Sequence, residues 1–208
     1  MVNIRNKFGQ GISPQQFMDG MQIRNMQLSN IPNTKERFIQ TYQNFTWENE
    51  CDKNYFTALP FAKELRCIIL CTDWCPDVIW NVPILLRVLE EAQIAVEILI
   101  MDDHLETMDL FSKDGSRPQP LALIVNEHCD TLGKWGARPN YIQQVMDDFK
   151  QKNSNKKAPD YQHKINKAYQ EIGQLYNSSN QYQQVIIQEL KDAFSTIRST
   201  YFLDRGNE

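Results

Sequence analysis

The chain has 208 residues and a formal net charge of -4, a length that suits one domain with flanking extensions. Acidic residues slightly outnumber basic ones, 26 to 22, so the composition argues against a nucleic-acid partner. The longest apolar run near the middle covers only residues 67–71. A membrane-spanning helix needs about 20 apolar residues, which excludes one here.

The N-terminal residues lack the apolar core of a secretory signal, so we expect a cytoplasmic protein. Five cysteines, an odd number with three of them clustered, do not resemble a secreted disulfide framework. His104, His128 and His163 lie far apart and show no ligand spacing. We therefore expect no metal and no cofactor.

The first part of the chain, residues 1–60, has helical patterns. Ser13, Pro14 and Gln16 form the start of a capped helix, with Ser as the N-cap and Pro in the first turn. A second helix is predicted over residues 34–45 from the helical spacing of its aromatic residues. These apolar stripes are expected to be packing faces of an N-terminal helical extension.

The middle part, residues 61–150, alternates strands and helices. Two strands joined by a helix should be parallel, and two joined by a short turn should be antiparallel. We expect an α/β fold with a mixed sheet and helices on both faces. The predicted strands are 65–71, 95–101, 121–126 and 131–135, with a turn at 127–130, and the predicted helices are 76–93, 104–111 and 140–150.

The last part, residues 151–208, begins with a polar linker and continues as two amphipathic helices separated by a turn at 177–180. Their stripes predict a C-terminal two-helix extension that packs back on the central domain, with a homodimer contact as the alternative. The stripe residues are Tyr161, Ile165, Ala168, Ile172 and Leu175 in one helix, and Ile186, Leu190, Phe194, Ile197 and Tyr201 in the other.

The chemistry of the chain is concentrated at Cys75, where a buried strand gives way to a helix that opens with Pro76. Unpaired N–H groups and the helix dipole lower the pKa of a thiol in that position. Asp73 and Asp77 act against this effect. Dipole effects are worth only about 0.3–1 kcal/mol, so two carboxylates are able to cancel them, and activation of Cys75 stays open.

Four features make residues 61–150 resemble the thioredoxin superfamily. They are Trp74-Cys75 at the strand-to-helix junction, Pro83 eight residues after Cys75, Pro120 at the start of a strand, and Trp135-Gly136. The resemblance implies that Pro120 is a cis-proline facing Cys75. It also implies that Trp74, Pro76, Gln119 and Pro120 form a substrate-binding surface.

A longer pattern is similar to a bacterial thioredoxin-like group that carries a Trp-Cys-Gly-Asp box, a Trp-Gly-x-Arg motif and helical extensions. Here the box reads Asp-Trp-Cys-Pro-Asp, and Arg138 follows Trp135-Gly-Ala. Arg138 either pairs on the surface or lies near Cys75 and offsets Asp73 or Asp77. The sequence leaves these two placements open.

The box departs from a dithiol thioredoxin because Val78 stands where the second cysteine belongs. Cys75 must then act as a monothiol or with another resolving thiol. Cys71 is a candidate only if the intervening turn folds back, and otherwise Cys67 and Cys71 are small buried apolar residues. Cys129 is expected to be an exposed thiol in the hairpin turn.

Two functions fit this pattern. The first is a monothiol disulfide oxidoreductase, in which Cys75 reacts with a disulfide or a low-molecular-weight thiol and has a pKa below the ~8.5 of a free thiol. The alternative is a non-catalytic binding module, in which the apolar patch around Trp74 and Pro120 holds a peptide or protein partner. A common fold does not decide between them.

Overall fold

The computed structural model describes residues 1–112 and 115–202, with backbone alone for the last two. Four strands form one sheet in the order β2-β1-β3-β4. β1 pairs with β2 in parallel and β3 pairs antiparallel with β4, as predicted. β1 also pairs antiparallel with β3, which the sequence analysis did not address. The strands are β1 Leu65–Cys71, β2 Ala95–Ile100, β3 Leu121–Asn126 and β4 Thr131–Gly136.

The α-helices match the predicted order, with one addition. Residues 50–57 form a helix that the sequence analysis missed, although Asn49 caps it by accepting the N–H of Cys51. The helices are α1 Pro14–Gly20, α2 Thr34–Gln43, α3 Glu50–Thr57, α4 Pro76–Glu91, α5 Leu105–Asp109, α6 Asn140–Lys152, α7 Tyr161–Ser178 and α8 Gln181–Ile197. A short 3₁₀ turn, Gln27–Ser29, precedes α2.

The alternation of side chains along β1 builds two separate cores. Cys67, Ile69 and Cys71 pack on the side of the sheet that α4 covers. Ile68 and Leu70 point to the opposite side, where the N-terminal segment and α5 cover them. Both faces of the sheet are therefore buried, which confirms the predicted mixed sheet with helices on both faces.

The first residues of the chain pack along the sheet and its hairpin. Ile12 bridges Ile98 on the outer edge of β2, and the N–H of Ile4 donates to the carbonyl of Cys129 at 3.0 Å. The prediction that Cys129 is exposed is wrong, since this side chain is only 8% exposed. The N-terminal segment covers the hairpin turn, a contact between distant parts of the chain that a local pattern does not reveal.

The two C-terminal helices pack back on the central domain, as predicted. α8 lies against α4 and β4, and the indole N–H of Trp135 donates to Glu189 at 2.7 Å. α7 lies against α6 and the Gln27–Ser29 turn, so it joins the two extensions. The Tyr201 side chain lies outside the described residues. Within the described chain, no helix combines the length and apolarity needed to cross a membrane.

Candidate binding site around Cys75

Cys75 is the N-cap of α4, the helix that begins directly after the loop from β1. Its backbone is extended, with φ -98° and ψ 125°, and Pro76 occupies the first helical turn. The Cys75 carbonyl accepts the N–H groups of Val78 and Ile79 at 3.1 and 3.3 Å. The strand, the loop and the proline-led helix thus place the thiol at the predicted junction.

The peptide bond between Gln119 and Pro120 is cis, which confirms the expectation for Pro120. The Gln119 side-chain oxygen accepts the Thr72 backbone N–H at 2.7 Å and the Thr72 hydroxyl at 3.0 Å. The Cys75 thiol in turn donates to the Gln119 carbonyl at 3.7 Å. The cis-proline loop and the cysteine loop are therefore joined directly.

Gly136, at the end of β4, packs directly against the backbone of the cis-proline Pro120. It has φ +142°, and a Cβ added there would lie 2.1 Å from the Pro120 carbonyl oxygen. Only glycine fits this approach between two backbones. Pro120 and Gln119 are both buried beneath their neighbours, so the backbone beside Cys75 is not an open strand edge.

Asp77 and Arg138 form a buried ion pair directly below the cysteine loop. The guanidinium of Arg138 meets both carboxylate oxygens of Asp77, at 2.8 and 2.6 Å, and also donates to Gln143 at 3.1 Å. The structure thereby decides the placement that the sequence left open for Arg138. Burial raises the pKa of Asp77, while Arg138 opposes that shift.

The C-terminal extension reaches this ion pair through Tyr176 on α7. The Tyr176 hydroxyl lies 3.5 Å from Asp77 and accepts the Asn81 amide N–H at 2.8 Å. Its ring stacks on Trp80, with centroids 4.2 Å apart and planes 12° apart. Sequence analysis missed Trp80 and Tyr176, although residue 176 continues the predicted stripe one turn beyond Ile172.

Asp73 turns away from this ion pair and binds the N-terminal extension. It pairs with Arg24 at 2.7 Å and accepts the backbone N–H of Gln22 at 2.7 Å. Its neighbour Trp74 is 46% exposed and donates its indole N–H to Asp102 at 3.0 Å. The two aspartates that flank the box therefore have different partners, and only Asp77 belongs to the buried network.

A pocket of about 540 Å³ opens beside Cys75 between the sheet domain and both extensions. Trp74, Pro76 and Cys75 form part of its wall, whereas Gln119 and Pro120 do not line it. The remaining lining residues include Met26, Leu28, Trp80, Arg138, Tyr169 and Ile172. No group of three or more metal-ligating side chains is found in the described part of the chain.

A family described as Thioredoxin matches residues 15–150, more than half of the chain. The chain belongs to the thioredoxin family. The match includes the N-terminal helices α2 and α3 and nearly all of α1, so it extends well beyond the predicted resemblance at 61–150. No curated protein matches the chain.

Among solved structures, this thioredoxin chain is similar to PA1234 from Pseudomonas aeruginosa, a protein of unknown function. The two share 17% identity, and the match covers 96% of this chain and 99% of that one with a TM-score of 0.57. The likeness is one of fold, and it includes both extensions. An HIV epitope scaffold also matches, at 18% identity over 84% of this chain and 98% of that one, but its TM-score is 0.32.

The Cys75 thiol is a weaker acid than an ordinary thiol. Burial raises the pKa of Cys75 to about 12, and the charge of Asp77 adds to the rise. The N–H groups of Val78 and Asp77 and the charge of Arg138 act in the opposite direction but are outweighed. The thiol stays protonated at neutral pH, consistent with its donation to the Gln119 carbonyl.

No disulfide is formed among the five cysteines, all of which are free. Val78 is fully buried at the position of the missing second cysteine. Cys71 is also fully buried, which raises the pKa of its thiol above the ordinary value. Cys67 is buried on the same face of β1, where burial raises its pKa to about 12, and Cys51 is exposed.

Proposed function

We propose that this chain is a thioredoxin-fold binding module that holds its ligand in the pocket beside Cys75 and does not turn over disulfides. The observation that carries the proposal is the pocket itself, since residues of both helical extensions line an apolar opening next to a protonated thiol. The absence of a second box cysteine, with Val78 in its place, supports the same conclusion.

The raised pKa has a calculable effect on reactivity. At pH 7 a thiol with a pKa of about 12 has roughly 3,000 times less thiolate than one with a pKa of about 8.5. The more basic thiolate is the better nucleophile, with a Brønsted coefficient of about 0.4–0.5, and this recovers roughly 25–55-fold. With these values Cys75 should react about a hundredfold more slowly than an ordinary thiol, which is poor for a catalyst.

The cis-proline region also favours the pocket over strand pairing as the mode of recognition. In an open thioredoxin site, the backbone before the cis-proline is free to pair with an extended substrate. Here Gln119 is 5% exposed, its side chain is held by Thr72, and its carbonyl accepts the Cys75 thiol. A partner strand would have to displace these contacts, whereas the pocket is already open.

The second candidate is a monothiol disulfide oxidoreductase, and the exposed part of Cys75 on the pocket wall favours it. Its thiolate would attack one sulfur of a bound disulfide, form a mixed disulfide and release the other half as a thiolate. A second, external thiolate would then attack the mixed disulfide and return Cys75 to its reduced form. This candidate requires a ligand or partner that lowers the Cys75 pKa.

We also propose the finer family assignment and the compartment. The Trp-Cys-Pro-Asp box and the Trp-Gly-Ala-Arg segment support membership of the bacterial thioredoxin-like group named above. Five free cysteines are consistent with a reducing compartment, which supports a cytoplasmic location.

Reaction with a small neutral disulfide separates the two functions. The chain is incubated with hydroxyethyl disulfide at pH 7 and the mixed disulfides are mapped by mass spectrometry, with exposed Cys51 as the internal reference. We expect Cys51 to react at least tenfold faster than Cys75. We also expect Cys75→Ser to leave the rate of disulfide reduction by excess thiol unchanged, because that rate is the uncatalysed one. Faster reaction at Cys75, together with turnover that Cys75→Ser abolishes, would establish the monothiol enzyme instead.

A further inference from the structure

We infer that the pocket beside Cys75 binds an uncharged, apolar small molecule that carries a hydrogen-bond acceptor such as a ketone oxygen. The inference rests on the proposed binding function and names its ligand class. It stands on the size of the pocket, the apolar residues at its mouth, the pairing of its charges and one unpartnered donor in its wall.

The size of the pocket suits a small molecule. Its volume of about 540 Å³ lies within the roughly 300–1,000 Å³ that is usual for small-molecule sites. The Gln27–Ser29 turn closes one side, and Tyr169 and Ile172 of α7 close another. An extended peptide running across the box would meet these walls.

Apolar side chains are exposed at this pocket out of proportion to the rest of the surface. Trp74, Tyr169 and Leu28 line it and are 46%, 37% and 39% exposed. Only three other large apolar side chains in the described residues are exposed, namely Met1, Ile23 and Leu110. Exposed apolar groups that gather at one concave site mark a binding surface rather than chance exposure.

The charges in the pocket wall cancel each other. Asp77 and Arg138 are the only charged residues among those that line it, all of which the structure describes. Each is engaged by the other through two contacts, and Arg138 also donates to Gln143. A charged ligand would give up its hydration here without gaining a free counter-charge, so the pocket favours an uncharged one.

The pocket wall also contains a donor without an acceptor. Trp80 lines the pocket, is 1% exposed and stacks on Tyr176. Its indole Nε1–H is buried and has no hydrogen-bond partner in the part of the chain that the structure describes. Buried donors are nearly always paired, so a small shift of the Trp80 ring toward the adjacent pocket would let an acceptor atom on a ligand complete this site.

The test uses prodan, an uncharged naphthyl ketone whose fluorescence reports both an apolar environment and hydrogen bonding to its carbonyl. Leu28→Ser removes an apolar group from the pocket, and Leu110→Ser is the matched control on a more exposed leucine that does not line it. Trp80→Phe removes the indole N–H and keeps an aromatic ring against Tyr176. Titrations are followed by circular dichroism to verify that each variant is folded.

We expect saturable prodan binding that Leu28→Ser weakens at least fivefold and Leu110→Ser leaves unchanged. Trp80→Phe should weaken it about tenfold, the usual effect of one lost hydrogen bond. The anionic naphthalenesulfonate ANS should bind at least tenfold more weakly than prodan.

Several results would overturn the inference. One is the absence of prodan binding, and another is equal weakening by the two leucine variants. If ANS bound as tightly as prodan, the ligand would not have to be uncharged. If Trp80→Phe bound prodan as tightly as the wild type, the ligand would not need a hydrogen-bond acceptor. Displacement of prodan by a capped apolar tripeptide that binds more tightly would assign the pocket to a peptide. All of these results concern the ligand class alone. The proposed binding function itself would instead be overturned by Cys75-dependent turnover in the disulfide assay.

Discussion

The central sheet domain and the two helical extensions contribute different residues to the same site. The sheet domain supplies Cys75 at the start of α4, the cis Pro120 beside it and the Asp77–Arg138 pair below. The extensions supply the walls, through the Gln27–Ser29 turn and through Tyr169 on α7. The first set lies at one end of the central sheet, and the second set borders the pocket beside the cysteine loop.

This difference shows that the burial of a thiol affects its pKa as much as its position at a helix N-terminus does. A thiol at a helix N-terminus has its pKa lowered by the helix, and here two backbone N–H groups and Arg138 act in that direction. Burial outweighs them and raises the Cys75 pKa to about 12. Substitutions at chosen positions separate the interactions that belong to the sheet domain from those that the extensions add.

The largest effect is expected inside the sheet domain, at the buried ion pair. Arg138→Ala leaves the Asp77 carboxylate buried without its counter-charge and should lower the free energy of unfolding by about 3–5 kcal/mol. Urea denaturation measures the loss. The double variant Asp77→Ala with Arg138→Ala removes both charges and should lose clearly less. A single-variant loss below 1 kcal/mol would show that the pair is not a buried one.

The stability of the protein should fall as the pH rises above about 8.5. In the unfolded chain Cys75 ionises near pH 8.5, whereas in the folded chain its pKa is about 12. Between these values the unfolded state loses its proton first, so folding loses about 1.4 kcal/mol per pH unit per thiol, or about 2 kcal/mol between pH 8.5 and 10.

Denaturation at pH 8 and pH 10 measures this slope in the wild type and in Cys75→Ala. Removal of Cys75 should flatten the slope by its own share, while Cys67 and Cys71 continue to contribute. Cys51→Ala is the matched control, because it removes an exposed thiol instead of a buried one. An identical slope in all three proteins would contradict a buried, protonated Cys75.

Tyr176→Phe tests the link from the C-terminal extension to the buried pair. The variant keeps the ring that stacks on Trp80 but removes the hydroxyl bonded to Asn81 and close to Asp77. We expect a loss of about 1–2 kcal/mol in unfolding free energy. Tyr169→Phe, on the same helix but 37% exposed, should lose less than about 0.5 kcal/mol. Equal losses would mean that the Tyr176 hydroxyl adds nothing.

The smallest effect is expected where the N-terminal extension binds the cysteine loop. Arg24 pairs with Asp73, but both side chains are partly exposed, so Arg24→Ala should cost less than about 1 kcal/mol. Added salt should reduce this cost further. A loss of several kcal/mol in urea denaturation would contradict this expectation and show that the ion pair contributes strongly to the packing of the extension on the cysteine loop.

Local sequence patterns predicted the sheet, α4 and the cis-proline because each depends on neighbouring residues or on one family motif. The β-branched and apolar run of β1 and the Ser13 capping box are examples. The cover of Cys129 by Ile4, the partner of Arg138 and the role of Tyr176 depend on contacts between distant segments. Such contacts are decided by packing, which periodicity does not report.

The pH dependence of Cys75 alkylation tests the central claim most directly. Iodoacetamide labelling is mapped by mass spectrometry from pH 6 to pH 10, with Cys51 as the internal reference. A thiol with a pKa of about 12 should react tenfold faster with each pH unit over the whole range and remain slower than Cys51 at pH 7. A rate at Cys75 that levels off below about pH 8.5 would contradict the account and identify an activated nucleophile.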